Sequence, residues 1–387
     1  MCAPFVSIAV PTKNRAFLLG DCIRCALDQS YSNFELVIAD NDDSAATQQV
    51  VAGFNDPRIK YFKTGGLSMP DNWEFAFQQT SGEVFTMLED KQFLKYHALE
   101  TIAKRFADSS VDVVTWSSDS FDDVGLFKRV WSPPASRQTA VFNSDEVLDK
   151  FLKGRSSEWS HFLPIAHLSA VRRALAKKVE LSITGRQFLP VSPDYTSAFQ
   201  WLAHGEKIVC LAEALVVYGT KQHSNGRAAL LKQGLYEDFL RELKISDSDR
   251  YDRIPVKAMT VPGAIYNDYL HIRERLGGRL APHELDMPRF YQSVHAYISN
   301  AFKEGVAMNR ELEAWQTALN AESPSTRSEV MSQIKLAHLK GRMSQAIKKT
   351  ECFIKGVWKK WVLRRPEWRY ASAIDYIQAQ KKEYQMS

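Results

Sequence analysis

Three polar clusters in this sequence each follow an apolar run, and their residue types suit the binding of a charged ligand. Pro11, Thr12, Lys13, Asn14 and Arg15 follow the run that starts at Val6. Asp40, Asn41, Asp42 and Asp43 follow Phe34 to Ala39, and Glu89, Asp90 and Lys91 follow Glu83 to Leu88. Open α/β sheets place ligands outside the carboxyl ends of their strands. If the three runs are strands of one such sheet, cations, carboxylates and amides gather at one edge, a combination able to hold a nucleotide.

The elements needed to position these groups are visible in the apolar pattern. The runs from Val6 and from Phe34 lack clean alternation, as strands covered on both faces do, and a helical stretch from Ala16 to Ser30 lies between them. This is a βαβ unit. Further strands are expected at Val111–Ser118 and Lys207–Gly219, which makes residues 1–225 an α/β portion. From Arg227 the pattern turns helical, so residues 226–387 are expected to be all-α, with Ala321–Glu329 as a turn or linker.

At 387 residues and 45% hydrophobic content the chain can form one large domain with an appendage, or two domains. Its five cysteines make no disulfide framework and point to a reducing compartment. Cys22 and Cys25 have a C-x-x-C spacing inside the first helix with no second ligand pair, which reads as small core residues. No run approaches the roughly 18 apolar residues of a membrane span, and the N-terminus lacks a signal peptide's basic region. The expected location is cytoplasmic, with peripheral attachment to the inner face of the membrane left open by the tail.

That tail, residues 335–387, holds the excess positive charge, with thirteen Lys and Arg against four Asp and Glu. In it Trp358 and Trp361 are interleaved with Lys355, Lys359, Lys360, Arg364 and Arg365 at helical spacing. Such a helix can lie on an anionic bilayer or dock its aromatic face on the rest of the chain, and both readings stand. No nucleic-acid-binding motif accompanies the charge, so no nucleic-acid partner is expected.

In the order and spacing of VSIAVPTKNR, ELVIADND, DNWEFAFQQTSGEVFTMLEDK, PDYTSAFQWLAHGEKIVCLAEALVVYGT and KQHSN, the chain resembles the nucleotide-diphospho-sugar transferases of the GT-A fold. The specific resemblance, from Val6 to about Ser224, is to the inverting family 2 glycosyltransferases of bacterial polysaccharide biosynthesis. It implies an α/β, GT-A-like (Rossmann-related) domain followed by the all-α region. It also implies transfer of a sugar, with inversion, from a nucleotide-sugar donor, UDP-linked by default, to a hydroxyl of a glycan or lipid-linked acceptor. On this resemblance Pro11, Thr12, Asn14 and Arg15 surround base and ribose, and Asp40 contacts the base. Asn72, Glu89 and Asp90 belong to the donor site, and Asp194 is the catalytic base. Read by themselves, Asp40 and Asn72 are equally turn or helix caps, and Asp194 a helix-start acid. His161 and His167 read as structural.

The chain departs from the family where acidic residues are expected to hold a divalent cation, because Lys91 or Gln92 falls at the metal-binding position. A hard cation wants carboxylate oxygens, and an ammonium repels it. Three readings follow. Lys91 is catalytic and supplies charge to the diphosphate directly; or Lys91 pairs with Glu89 while Asp90, helped by His223, keeps Mn2+ or Mg2+; or the chain kept the fold as a non-catalytic nucleotide- or sugar-binding or assembly protein. A dehydrogenase or nucleotidyltransferase is disfavoured because no glycine-rich phosphate loop follows either early strand.

Overall fold

Strands β1 (Val6–Thr12) and β2 (Phe34–Asp40) are buried at every position, and α1 (Ala16–Leu27) crosses between them. They pair in parallel with Val6 opposite Phe34 and Thr12 opposite Asp40, which sets the two polar ends side by side. The computed structural model describes residues 3–122, 129–132, 138–153, 162–220, 223, 225–232, 234–246, 248–337, 339, 370 and 372–386. The Trp-containing basic stretch 353–365 and His161 lie outside the described residues.

The sheet continues outward from β2 to β3 (Ile59–Lys63), where Asp40 faces Lys63, and from β1 to β4 (Val84–Met87), where Ala9 faces Met87. All four strands are parallel, so the segment after β4 arrives at the same edge as Thr12 and Asp40. Beyond β4 the order is β9 (Ser169–Arg172), β6 (Val113–Asp122), β10 (Lys207–Tyr218) and β5 (Gln92–Leu94). Strand β9 runs antiparallel to both its neighbours, and β5 antiparallel to β10. Two short strands join the flanks, β7 (Arg129–Trp131) on β6 and β8 (Ala140–Asn143) on β10. Register shifts between Cys210 and Val216 bend β10, so that its first half pairs with β8 and its second half with β5.

The third run forms a strand over Val84–Met87, and Glu89, Asp90 and Lys91 follow in a turn beyond its end. Pairing stops at Met87, Gln92 N donates to Glu89 O at 2.9 Å, and the chain leaves as β5. Gly219 sits over this turn, its N–H donating to Lys91 O at 2.9 Å, and a Cβ there would strike the Phe93 ring. Glycine therefore lets the end of β10 close on the residue after Asp90.

Alternate residues of β1 feed two cores, as a two-faced strand requires. Ile8 and Val10 pack with α1 and α4 (Ala98–Phe106), whereas Ala9 packs with α3 (Met69–Gln78) on the other face. That second face also carries α5 (Ser144–Lys153), α6 (Arg173–Glu180) and α7 (Pro193–His204). After β10 come the short helices α8 (Asn225–Leu230) and α9 (Gly234–Glu242), then α10 (Val261–Leu276), α11 (Met287–Lys303) and α12 (Asn309–Ala321). Helices α10–α12 share their core with α5 and α7: Phe151 lies 5.2 Å from Phe199 and 5.5 Å from Tyr266, and Phe199 lies 5.1 Å from Tyr269, ring to ring.

The last helix, Ala373–Met386, returns to the first face. Its Ala373, Tyr376 and Ile377 join the core beside β5 and β10. Tyr376 Oη donates to Asp119 Oδ2 at 2.8 Å, and the same oxygen meets Lys95 Nζ at 2.8 Å. Cys22, Cys25 and Cys210 are buried and free, and among the described residues no helix is long and apolar enough to cross a membrane.

Candidate active site

The turn after β4 holds three ionisable groups in a rigid frame. Glu89 N donates to Gln92 Oε1 at 2.9 Å, and Gln92 Nε2 donates to His167 O at 3.1 Å, so both flanks of the turn are tied down. Within it Lys91 Nζ lies 3.1 Å from Glu89 Oε1. Burial opposes the Glu89 charge, yet Lys91, His167 and Arg15 outweigh it and bring its carboxyl down to about 2. Asp90 points the other way: Thr12 Oγ1 donates to its Oδ2 at 2.9 Å, and Arg15 reaches its Oδ1 at 3.3 Å. Burial wins there and raises its carboxyl despite Arg15.

Asp194 is in the first turn of α7, after Pro193 and the N-cap Ser192. Proline at the helix start and an acid in the first turn both suit the unpaired amides there. The preceding chain is held from α10, where Asp268 accepts Val191 N at 3.1 Å and Ser192 N at 2.8 Å. Burial raises the Asp194 carboxyl, with His167 opposing and Glu89 reinforcing the shift. A buried carboxylate whose proton affinity is raised is a better base than a solvated one.

Glu89, Lys91, His167 and Asp194 line one cavity of about 500 Å3. Tyr195, Tyr218, Trp73 and Arg227 contribute to its wall, and Met259, Val261, Ala264 and Ile265 give it an apolar side from the helical region. His167, expected to be structural, is therefore part of the cavity. It escaped detection because a lone histidine in a 3-10 turn has no sequence neighbour to mark it. Asp268 escaped for a similar reason, since its partners lie 76 and 77 residues away.

The expected nucleotide residues adjoin the strand ends, but several side chains are engaged within the protein. Asp40 is fully buried; its Oδ1 accepts Asp42 N at 2.8 Å, and its Oδ2 meets Tyr61 Oη at 2.6 Å and Lys63 Nζ at 3.1 Å. Asn72 donates to Ala39 O at 3.2 Å and accepts from Thr64 Oγ1 at 2.9 Å. Asn14 adopts φ 56°, a left-handed conformation that asparagine tolerates, and its N–H donates to Asp42. Pro11 is buried at the end of β1, while Lys13 Nζ spans to Glu242 Oε1 on α9 at 2.7 Å.

Among the described residues Glu89, Asp90 and His223 are not gathered as a divalent-cation site. Asp90 has both oxygens engaged by Thr12 and Arg15, Glu89 is paired with Lys91, and His223 is exposed against the Phe17 ring at 5.0 Å. Among the described residues no group of three or more His, Cys, Asp and Glu could hold a metal ion. Cations already occupy the neighbourhood in which a metal would have to sit.

A partly parallel sheet with polar groups gathered at its strand ends, beside a cavity lined by a helix-borne acid, is a GT-A-like arrangement. The crystal structure of S. aureus TarS 1-349 in complex with UDP-GlcNAc has this fold, with a TM-score of 0.52 at 15% identity, covering 85% of this chain and 84% of that one. Residues 7–180 match the family Glycosyl transferase family 2.

Among curated proteins, the GalNAc(5)-diNAcBac-PP-undecaprenol beta-1,3-glucosyltransferase of Campylobacter jejuni is 33% identical over 106 residues, which are 26% of this chain and 34% of that protein. The putative colanic acid biosynthesis glycosyl transferase WcaA of Escherichia coli K12 is 34% identical over 93 residues, 22% of this chain and 32% of that protein. The chain thus spans about a third of the length of these relatives.

Proposed function

We propose that the protein is an inverting glycosyltransferase that moves a sugar from a nucleotide-sugar donor, UDP-linked by default, to a hydroxyl of a glycan or lipid-linked acceptor during surface polysaccharide synthesis. The observation that carries this reading is that Asp194 and Lys91 line the same cavity at the strand-end edge of the sheet. Asp194 takes the proton of the acceptor hydroxyl as its oxygen attacks the anomeric carbon. The bond from that carbon to the diphosphate breaks on the far side, and one displacement inverts the centre. Charge developing on the diphosphate falls to Lys91 and Arg15, groups that favour the transition state because they are already in place. In this reading Asp40 and Asn72 shape the nucleotide site from behind, by fixing the ends of β2 and the loop to α3. The basic tail would bring the chain to an anionic membrane carrying the acceptor.

The competing reading is a nucleotide- or sugar-binding protein that kept the fold. It is favoured by the internal engagement of Asp40, Asn72 and Asp90. A transfer assay with UDP-, GDP-, dTDP- and CMP-sugars, each with manganese and with EDTA, separates them. Turnover with EDTA supports Lys91 as the charge carrier, and turnover only with manganese restores a metal. Binding without turnover or donor hydrolysis in any condition leaves the binding protein.

A further inference from the structure

Two carboxylates face the cavity, and they are served differently. Glu89 has Lys91 at 3.1 Å. Asp194 has no Lys or Arg ion-pair partner among the described residues; the group that faces it is His167, whose Nδ1 lies 3.9 Å from Asp194 Oδ2. His167 is 9% exposed and lines the cavity, and its buried Nδ1 has no hydrogen-bond partner among the described residues. Buried polar nitrogens are nearly always paired, so one left open beside a carboxylate calls for an explanation.

The backbone of His167 is firmly placed. Its carbonyl accepts Gln92 Nε2 at 3.1 Å, and Ser169 Oγ lies 3.1 and 2.8 Å from the carbonyls of Pro164 and Ile165 and shares its one hydrogen between them, beside the 3-10 turn Ala166–Leu168. The ring stands edge-on to Tyr218 with centroids 6.2 Å apart. A separation of 3.9 Å is too long for a hydrogen bond, but a movement of about 1 Å makes it one.

We infer that His167 is the positioning partner of Asp194, donating Nδ1–H to Oδ2 so that Oδ1 faces the acceptor hydroxyl. This rests on the glycosyl-transfer reading. The acceptor O–H bond breaks with its proton passing to Asp194, the oxygen pair forms the new bond to the anomeric carbon, and the diphosphate leaves with the old bond's pair. His167 keeps its proton throughout. The other groups around Asp194 are Glu89 and Lys91 on the turn, Tyr195 on its own helix and Tyr218 on β10. Without His167, burial and Glu89 remain, and both favour protonated Asp194.

The test uses the full chain and two readouts. The 13C carboxyl resonance of Asp194, assigned with Asp194→Asn, is titrated in wild type, His167→Ala and His167→Gln. Loss of the ring is expected to raise the midpoint by about one pH unit, and glutamine, which keeps an N–H donor, to raise it less. In turnover, His167→Ala is expected to lose about tenfold or more in kcat, with unchanged donor KM and an acid limb moved to higher pH. An unmoved midpoint in a protein that transfers sugar overturns the pairing and leaves the transferase reading intact. A shifted midpoint in a protein that transfers no sugar upholds the pairing and overturns the transferase.

Discussion

Lys91 Nζ and Glu89 Oε1 stand 3.1 Å apart inside the turn that ends β4, both facing the cavity that Asp194 lines. If Lys91 carries the leaving-group charge, Lys91→Ala should lower kcat about 100- to 1,000-fold in EDTA while nucleotide binding survives. Lys91→Asp should restore an acidic site and make the residual turnover depend on manganese. Steady-state rates with and without the metal decide this, and a Lys91→Ala enzyme as fast as wild type in EDTA removes Lys91 from the mechanism.

Asp194 should set the acid limb of the rate. Burial holds its carboxyl above the usual range, so the base form exists only above that raised value, and turnover should fall as pH is lowered through it. Asp194→Asn should lose about 100- to 10,000-fold in kcat and show no such limb. A pH–rate profile of the two proteins measures both effects; near-normal turnover in the variant ends the assignment.

Asp268 should leave a mark on stability. Burial raises its carboxyl to about 6, above its unfolded value, so the folded state holds the proton more tightly. This contribution is complete below the unfolded value, near 4, and is lost as pH rises through about 6; two units correspond to roughly 3 kcal/mol. Asp268→Asn should flatten the stability profile in that window. Denaturant unfolding at a series of pH values compares the slopes, and equal slopes would contradict the assignment.

Tyr376→Phe should destabilise by about 1 kcal/mol, because it removes a donor from the buried Asp119 that also holds Lys95. Removal of residues 373–386 should cost more, since it exposes the apolar flank of β5. Thermal unfolding with and without nucleotide tests both changes. A truncated protein with wild-type stability would show that this helix adds nothing to the fold.

Much of this architecture is legible in the amino-acid sequence. Strands β1 and β2 are buried at every position, so runs that are mostly apolar, broken by Ser7 and Glu35, mark them, and β10 is long enough to show through its irregular register. The four-residue strands β8 and β9 carry too little pattern, and the break at Met87 is imposed from afar by Gly219 and His167. The strand-end polar groups are readable for the same reason as the strands. Their hydrogen-bond partners are not: nothing near Asp40 in sequence announces Tyr61 or Lys63, and nothing near Asp194 announces His167 or the Asp268 support.

The last helix has a consequence for how the protein is made. Strand β5, which follows directly on Lys91, leaves the ribosome about 280 residues before Ala373, and at roughly 5–20 residues per second that interval is on the order of tens of seconds. Until the last helix emerges, β5 has α1 packed against it but not Ala373, Tyr376 and Ile377, so the flank beside the turn that holds Glu89, Asp90 and Lys91 is the last part of this core to be completed.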